Sequence, residues 1–362
     1  MNREVNKNKQ THTLLMQHFQ AYPLLQTEDM FKFLYQSAHG CEHLVSDEQA
    51  ALHRIQNEYA SMSEAVSADT DQLDGAYSRV HLGVLRKGLR PQTLTKLFCL
   101  SAQKEPDGAA QLAQKLTVAR EPIGHSAISL DRTDFDQKLD AWRAQGFPAV
   151  HHSDSFRAAY HPAYRVIANQ YADLLPVFTA IYKQLNKSSA IVAIEGGSAS
   201  GKTTLAGILQ QVYGCNVFHT DDFFLRPEQR TQHRLEEIGG NFDRERFADE
   251  VLQPLCKEEA VHYRRFDCAT QTLSQPITVQ KIAVTVIEGV YSLHPALGKY
   301  CDLTIFLDID SDLQKKRIIK RNSVQMAKRF FDEWIPLENV YFEQMRKQTR
   351  FDVHLIVNRD NG

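Results

Sequence analysis

The sequence predicts an α/β domain in its C-terminal part, a parallel sheet with flanking helices, preceded by a mainly α-helical domain. Three observations carry this expectation. In the first half, apolar residues recur at three- and four-residue spacing. From Ala190 onward, short runs rich in β-branched residues alternate with helical patterns. Between these textures lies a short polar stretch, Asn186-Lys-Ser-Ser189, of the kind that links domains. The expected division is therefore 1–186 and 187–362.

The elements follow in order. Leu14, Leu15, His18 and Phe19 mark one helical face, and Met30, Phe31, Phe33, Leu34 and Tyr35 a second. Ser61 to Asp74 is small and polar and reads as an exposed loop. Asp131 to Trp142 and Pro162 to Leu185 read as further helices. The strands expected after the linker are Ala190 to Ile194, Cys215 to His219, Ile282 to Ile287, Leu303 to Ile309 and Val353 to Val357. Continuous apolar runs of this length fit strands buried on both faces. Helical patterns at Lys202 to Tyr213, Asp243 to Cys256, Ser311 to Arg321 and Leu337 to Arg346 separate them.

Composition narrows the function. Apolar residues make up 43% of the 362-residue chain and charged residues 24%, enough for two cores in water. A formal net charge of −2 provides no general attraction for nucleic acid or an anionic membrane. No apolar run approaches the length of a membrane span, and Met1-Asn-Arg-Glu-Val is polar with no apolar run behind it, so no signal peptide is expected. The six cysteines, at 41, 99, 215, 256, 268 and 301, form no C-x-x-C pair. Reduced thiols and a cytoplasmic location are expected. Assembly state stays open, a homo-oligomer included.

Gly196-Gly197-Ser198-Ala199-Ser200-Gly201-Lys202-Thr203 fits G-x-x-x-x-G-K-[ST] between an expected strand and an expected helix. Glycines let successive N–H groups turn inward onto phosphate oxygens, and the helix N-terminus adds partial positive charge. Lys202 suits the β- and γ-phosphates of ATP, and the Thr203 hydroxyl suits Mg²⁺. Thr204 closes the nucleotide-binding segment. The second strand ends in Thr220-Asp221-Asp222-Phe223-Phe224. A carboxylate beyond the carboxyl end of a parallel strand can accept the proton of an attacking hydroxyl. Asp221 is the expected base, with Asp222 as fallback. An N-cap or turn role is the plain alternative. Glu288, ending the apolar strand Val286-Ile287-Glu288, is the expected Mg²⁺-side carboxylate.

These residues resemble the uridine kinase, nicotinamide riboside kinase and phosphoribulokinase superfamily over roughly 189 to 358. The resemblance rests on Phe218-His-Thr-Asp-Asp-Phe-Phe-Leu-Arg-Pro, with the phosphate loop before it and Ile287-Glu-Gly after it. It implies a P-loop fold, ATP and Mg²⁺ as cofactors, and Asp221 as catalytic base. It also implies that Asp243, in Asn241-Phe242-Asp243, contacts ribose hydroxyls, although capping the following helix is an equally simple role. Phe224 and Tyr263 become acceptor-side residues, the latter in an altered version, His262 to Cys268, of the hairpin that holds the base. Ser311 to Phe331 resembles the family's lid, which implies that Arg317 and Arg321 clamp the phosphates, with Arg329 a weaker choice.

The expected function is ATP-dependent phosphorylation of a small-molecule hydroxyl, most simply the 5′-hydroxyl of a nucleoside such as uridine or cytidine. Acceptors of the pantothenate or sugar phosphate type are the alternative. An ATP-driven switch acting on the N-terminal half would need a water-positioning residue, and none is evident. In that half, His39 and His43 stand four apart, the spacing of paired metal ligands. Without a third ligand, they and His151, His152, Tyr160 and Tyr164 read more simply as polar packing residues.

Overall fold

The computed structural model describes residues 2–41, 47–62, 68–73, 75–102, 107–123, 128–185 and 189–357. The chain divides into two compact units, Met1–Leu175 and Pro176–Gly362. His43 and the linker positions 186–188 lie outside the described residues.

The first unit is helical with a small sheet. Its helices are α1 (Asn2–Ala21), α2 (Thr27–His39), α3 (Glu48–Ser61), α4 (Pro91–Ser101), α5 (Gly108–Arg120), α6 (Arg132–Ala144), α7 (Asp154–Tyr160) and α8 (Asn169–Ala172). Their starts follow sequence. Asp47, Asp131 and Ser153 each accept an N–H from the first turn of α3, α6 and α7, and Pro91 opens α4. The sheet is antiparallel, ordered β1 (Thr70–Gln72), β2 (Tyr77–His81), β3 (Tyr164–Ala168).

Two expectations are corrected here. Part of the expected loop at 61–74 is strand β1, and the expected helix at 162–185 begins as strand β3. The reason is local: Tyr164, Val166 and Ile167 favour an extended backbone, and β3 finds a partner in β2 from His81↔Tyr164 to Tyr77↔Ala168, far along the chain, so its pairing leaves no local periodicity.

The second unit opens within α9 (Leu175–Gln184) and is built on a five-stranded parallel sheet. Its strands are β4 (Ala190–Gly196), β5 (Asn216–His219), β10 (Val284–Glu288), β11 (Leu303–Ile309) and β12 (Val353–Val357), in the order β12-β11-β4-β10-β5. All five fall within a residue or two of the expected runs. Between β5 and β10 lie two short antiparallel ribbons, β6 (Val261–Tyr263) with β9 (Ile277–Val279) and β7 (Phe266–Asp267) with β8 (Thr272–Leu273). The helices are α10 (Lys202–Tyr213), α11 (Gln232–Glu236), α12 (Arg244–Phe247), α13 (Gln253–Cys256), α14 (Ser311–Arg321), α15 (Val324–Arg329) and α16 (Ile335–Gln348). Single wide turns, Ala248–Leu252 and Phe330–Trp334, join α12 to α13 and α15 to α16.

Strand order positions the site. From β4 the chain passes over the place of β10 to reach β5, leaving β10 to fill the gap later. The carboxyl ends of β4, β10 and β5 therefore lie side by side, where ligands of open parallel sheets bind. Register makes this concrete: Glu288 stands beside Ile194 on one side and His219 on the other. An aromatic core including Phe218, Phe223, Phe242, Phe247, Tyr263 and Tyr341 packs beneath that edge. Among the described residues all six cysteines are free, and no helix is long and apolar enough to cross a membrane.

Candidate active site

The loop from Gly196 to Gly201 joins β4 to α10, and its glycines answer specific contacts. A Cβ on Gly196 would meet the Leu307 carbonyl oxygen at 2.5 Å and Ser200 Oγ at 3.0 Å, at φ +150°. Gly201 caps α10 at φ +102°, and Ala199 accepts φ +62°. Lys202 is buried and its Nζ donates to the carbonyls of Gly196 at 2.9 Å and Gly197 at 3.0 Å. Ser200 Oγ is buried and has no hydrogen-bond partner among the described residues. Thr203 and Thr204 are exposed on the first turn of α10. A carboxyl group is already seated on the loop: Glu338 accepts from Ser198 N at 2.9 Å and Ser198 Oγ at 2.5 Å, and burial pushes it above its ordinary value. The loop thus offers an oxyanion an amide, a lysine and a spare hydroxyl, which fits a polyphosphate.

Glu288 and Asp221 stand beside this loop as well. Glu288 Oε1 accepts from Thr203 Oγ1 at 2.9 Å and pairs with His219 Nδ1 at 2.5 Å. Burial pushes the Glu288 carboxyl up, but His219 and the Lys202 charge outweigh it and hold the group below its ordinary value. The same hydrogen bond raises His219 above its ordinary value. An ionised carboxylate beside a threonine hydroxyl is a hard-oxygen donor pair, which suits Mg²⁺ with water completing the shell. Among the described residues no cluster of three or more His, Cys, Asp or Glu could hold a metal by itself.

Asp221 lies two residues past His219, on a 3₁₀ turn. Solvent reaches its side chain, yet protein crowds the concavity around it. That crowding raises its carboxyl above the ordinary range, Lys202 opposes the rise, and Glu288 adds to it. Asp222, the fallback, is turned to other work: its carboxylate stands 3.2 Å from Arg265 Nε, and its carbonyl accepts from Arg246 Nη2 at 3.0 Å.

The acceptor-side expectations fare unevenly. Asp243 is fully buried as the N-cap of α12 and faces Arg246 Nε at 3.3 Å. The capping role is present and its oxygens point at protein donors. Tyr263 is corrected from a ligand contact to core. Its ring stacks on Phe223 at 5.8 Å and meets Phe218 edge-on at 5.4 Å, and it is buried. Phe224 is half-buried and its backbone bridges to Phe242.

On α14 the two arginines separate. Arg317 Nη1 donates to the Ala199 carbonyl at 3.1 Å, and Gln314 Nε2 to the Ser198 carbonyl at 2.8 Å, so this face of α14 rests on the phosphate loop. Arg321 is exposed and lies 5.5 Å from the Phe330 ring centre. Arg329 pairs with Glu333 at 3.2 Å and covers Trp334.

The family model described as "Phosphoribulokinase / Uridine kinase family" matches residues 191–330. A uridine kinase of Chloroflexus aurantiacus is 30% identical over 146 residues, covering 38% of this chain and 70% of that protein. This chain belongs to the phosphoribulokinase/uridine kinase family. The uridine kinase-like protein 4 of Arabidopsis thaliana is 28% identical over 156 residues, 41% of this chain; the chain spans only 33% of that longer protein. A solved structure titled as a possible uridine kinase from Bacillus stearothermophilus overlaps 51% of this chain at 22% identity and a TM-score of 0.39. Family membership thus attaches to the second unit, which contains every residue matched by the family model.

Within this family member, sequence reasoning missed three groups. Glu195 is wholly buried at the end of β4 and gathers Gly196 N at 3.0 Å, Leu293 N at 3.1 Å and Tyr341 Oη at 2.9 Å. Burial pushes its carboxyl up to about 7 against those hydrogen bonds. Glu338 shares the buried face of α16 with Tyr341, Phe342 and Met345. A carboxylate at position i of an i, i+3, i+4, i+7 apolar stripe is the signal that could have found it. His219 is the third, marked by ending a β-strand beside two aspartates.

Proposed function

We propose that the chain transfers the γ-phosphate of ATP to a hydroxyl of a small molecule, with a nucleoside 5′-hydroxyl as the acceptor class. The observation that carries this reading is the convergence of Lys202, the Thr203–Glu288–His219 group and Asp221 at three adjacent strand ends. The acceptor class is drawn from the names of the uridine kinase relatives.

In this reading the loop amides and Lys202 hold the β- and γ-phosphates in place. Lys202 exchanges its two loop carbonyls for phosphate oxygens. Mg²⁺, when bound, would neutralise charge on those oxygens, and Thr203 and Glu288 are the residues that would hold it. His219 keeps the Glu288 carboxyl ionised for that purpose. Asp221 accepts the proton from the attacking hydroxyl and fixes its line of approach. Its raised carboxyl makes it a stronger base than an aspartate in free solvent. Arg317, already against the loop, moves from a carbonyl to the transferring group as the lid tightens. Asp243 reaches a ribose diol only by releasing Arg246.

The test is ADP release from ATP over a panel of nucleosides, pantothenate and sugar phosphates. Stimulation by a nucleoside supports the full reading, and stimulation by another alcohol keeps the kinase and replaces the acceptor. Equal slow hydrolysis across the panel rejects phosphotransfer. Asp221→Asn should lower turnover by a factor on the order of 10²–10⁴ and leave ATP binding nearly unchanged. Unchanged turnover would remove Asp221 from the chemistry.

A further inference from the structure

Arg79, at the centre of strand β2, is 1% exposed. Its Nε donates to Gln36 Oε1 at 2.9 Å, its Nη1 lies 3.3 Å from His18 Nε2, and its guanidinium sits 4.8 Å from the Tyr164 ring centre. None of these partners is a carboxylate. Among the described residues Arg79 forms no ion pair, and its Nη2 has no hydrogen-bond partner. The nearby acids are engaged elsewhere. Asp71 accepts from Tyr22 Oη at 2.6 Å and pairs with His81 at 3.0 Å. Asp29 pairs with His152 Nδ1 at 2.7 Å and accepts from Ser153 Oγ at 2.6 Å. Lys32 adds a further cation, donating to the Val150 carbonyl at 2.8 Å. Asp71 and Asp29 act on this cluster only through space, and a buried guanidinium with no carboxylate in contact is costly by several kcal/mol. A fold that keeps one has a use for the positive potential it creates.

A cavity adjoins two of the Arg79 partners. A pocket of about 160 Å³ is lined by residues that include Gln36, Tyr164 and Val166. Gln36 and Tyr164 touch Arg79 directly, and Val166 stands opposite Arg79 in the β2–β3 register. Arg79 is therefore one side chain behind this wall. Arg54, Glu58 and Arg165 also line it. Arg165 is held by Glu58 at 2.8 and 3.0 Å, while Arg54 is exposed and makes no ion pair among the described residues. The pocket combines two arginines, one of them paired with Glu58, with an amide and a phenol that both touch buried Arg79.

The geometry points to a binding site in the N-terminal unit for a small oxyanion, a phosphate monoester or a carboxylate of roughly benzene size. The headgroup sits between Arg54 and Arg165, and Gln36 Nε2, which now donates to Tyr164 Oη at 3.3 Å, turns to it. Arg79 strengthens the site through the wall. Glu58 orients Arg165 as a planar fork and is the group the anion competes with.

Calorimetric titration of the full chain tests this, with inorganic phosphate, glycerol phosphate and succinate as separate probes and saturating ADP present throughout. The expected result is one saturable site for at least one probe. Arg54→Gln with Arg165→Gln should weaken it on the order of tenfold or more. Ala51→Met, which fills the pocket without changing charge, should weaken it as well, and Lys202→Ala should leave it intact. Phosphate or glycerol phosphate alone binding identifies the monoester; succinate alone identifies the carboxylate. The proposal is overturned if no probe binds, or if binding survives both pocket variants or vanishes with Lys202→Ala.

Discussion

Adding one methyl group at Gly289 tests the arrangement of the catalytic edge from a position that touches no ligand. Gly289 follows Glu288 at the end of β10 with φ +142°, and a Cβ there would lie 1.9 Å from Thr220 Oγ1 and 3.1 Å from Thr220 Cβ. Ordinary contact begins near 3.4 Å, so the two strand ends must part by about 1.5 Å. Thr220 has little room to yield: it is buried, and its hydroxyl donates to the Val290 carbonyl at 3.0 Å. Backbone strain of about 1–3 kcal/mol and overpacking of about 1–3 kcal/mol together predict a loss of roughly 2–6 kcal/mol for Gly289→Ala. Thr220 immediately precedes Asp221, so the displacement passes to the proposed base. A shift of about 1 Å there is worth about a hundredfold in rate. Urea denaturation reads the first effect and ADP release at saturating acceptor the second. Adding Thr220→Ala removes the 1.9 Å collision while leaving the φ strain. The double variant should regain part of the stability and most of the rate. If Gly289→Ala keeps its stability within about 0.5 kcal/mol and its full turnover, or if Thr220→Ala restores nothing, the strand ends are not coupled as described.

Further predictions concern single groups. Glu338→Ala strips both acceptors from Ser198 and should lower stability by about 1–3 kcal/mol and weaken nucleotide affinity; Glu338→Gln, keeping one acceptor, should lose less, and calorimetric ADP binding separates the two. Arg317→Met should reduce turnover far more than Arg321→Met, because only Arg317 contacts the phosphate loop; equal losses in steady-state assays would contradict this. The His219–Glu288 pair has a definite pH signature. His219 is raised, so its contribution is complete below its unfolded pKa near 6.5 and is lost as pH rises through the higher folded value. Glu288 is lowered, so its contribution is complete above its unfolded value near 4.5 and is lost as pH falls through the lower folded one. Urea denaturation across pH should therefore show the pair at full strength between about 4.5 and 6.5, and His219→Gln should flatten the alkaline fall. The acid limb of turnover should lie above the ordinary aspartate range, because Asp221 is raised, and a pH–rate profile reads it directly.

The kinase unit was legible because its strands are buried on both faces. Runs such as Val284 to Glu288 carry their signal in consecutive residues. The phosphate loop and the acids at strand ends follow from where parallel sheets bind ligands. What stayed hidden depends on which way a side chain turns. Tyr263 reads the same in sequence whether it faces a ligand or Phe223. Glu195 and Glu338 are acids on buried faces, and pattern reading places acids in solvent. In the first unit, Arg79 sits in a strand whose partners lie far along the chain in β3. Its burial comes from tertiary pairing and from α2, neither of which has a local signature.

The Lys202 ammonium, clasping two carbonyls of its own loop, bears on the kinetics of nucleotide capture. The cradle keeps its curvature by an internal latch, so the arriving polyphosphate trades with the latch and does not wait for a coil to order. Association should then be governed by encounter and charge, rising as ionic strength falls, with no slow unimolecular phase at high nucleotide concentration. Selectivity between tight and weak nucleotides would lie in how quickly the ammonium returns to its carbonyls, that is, in escape and not in arrival.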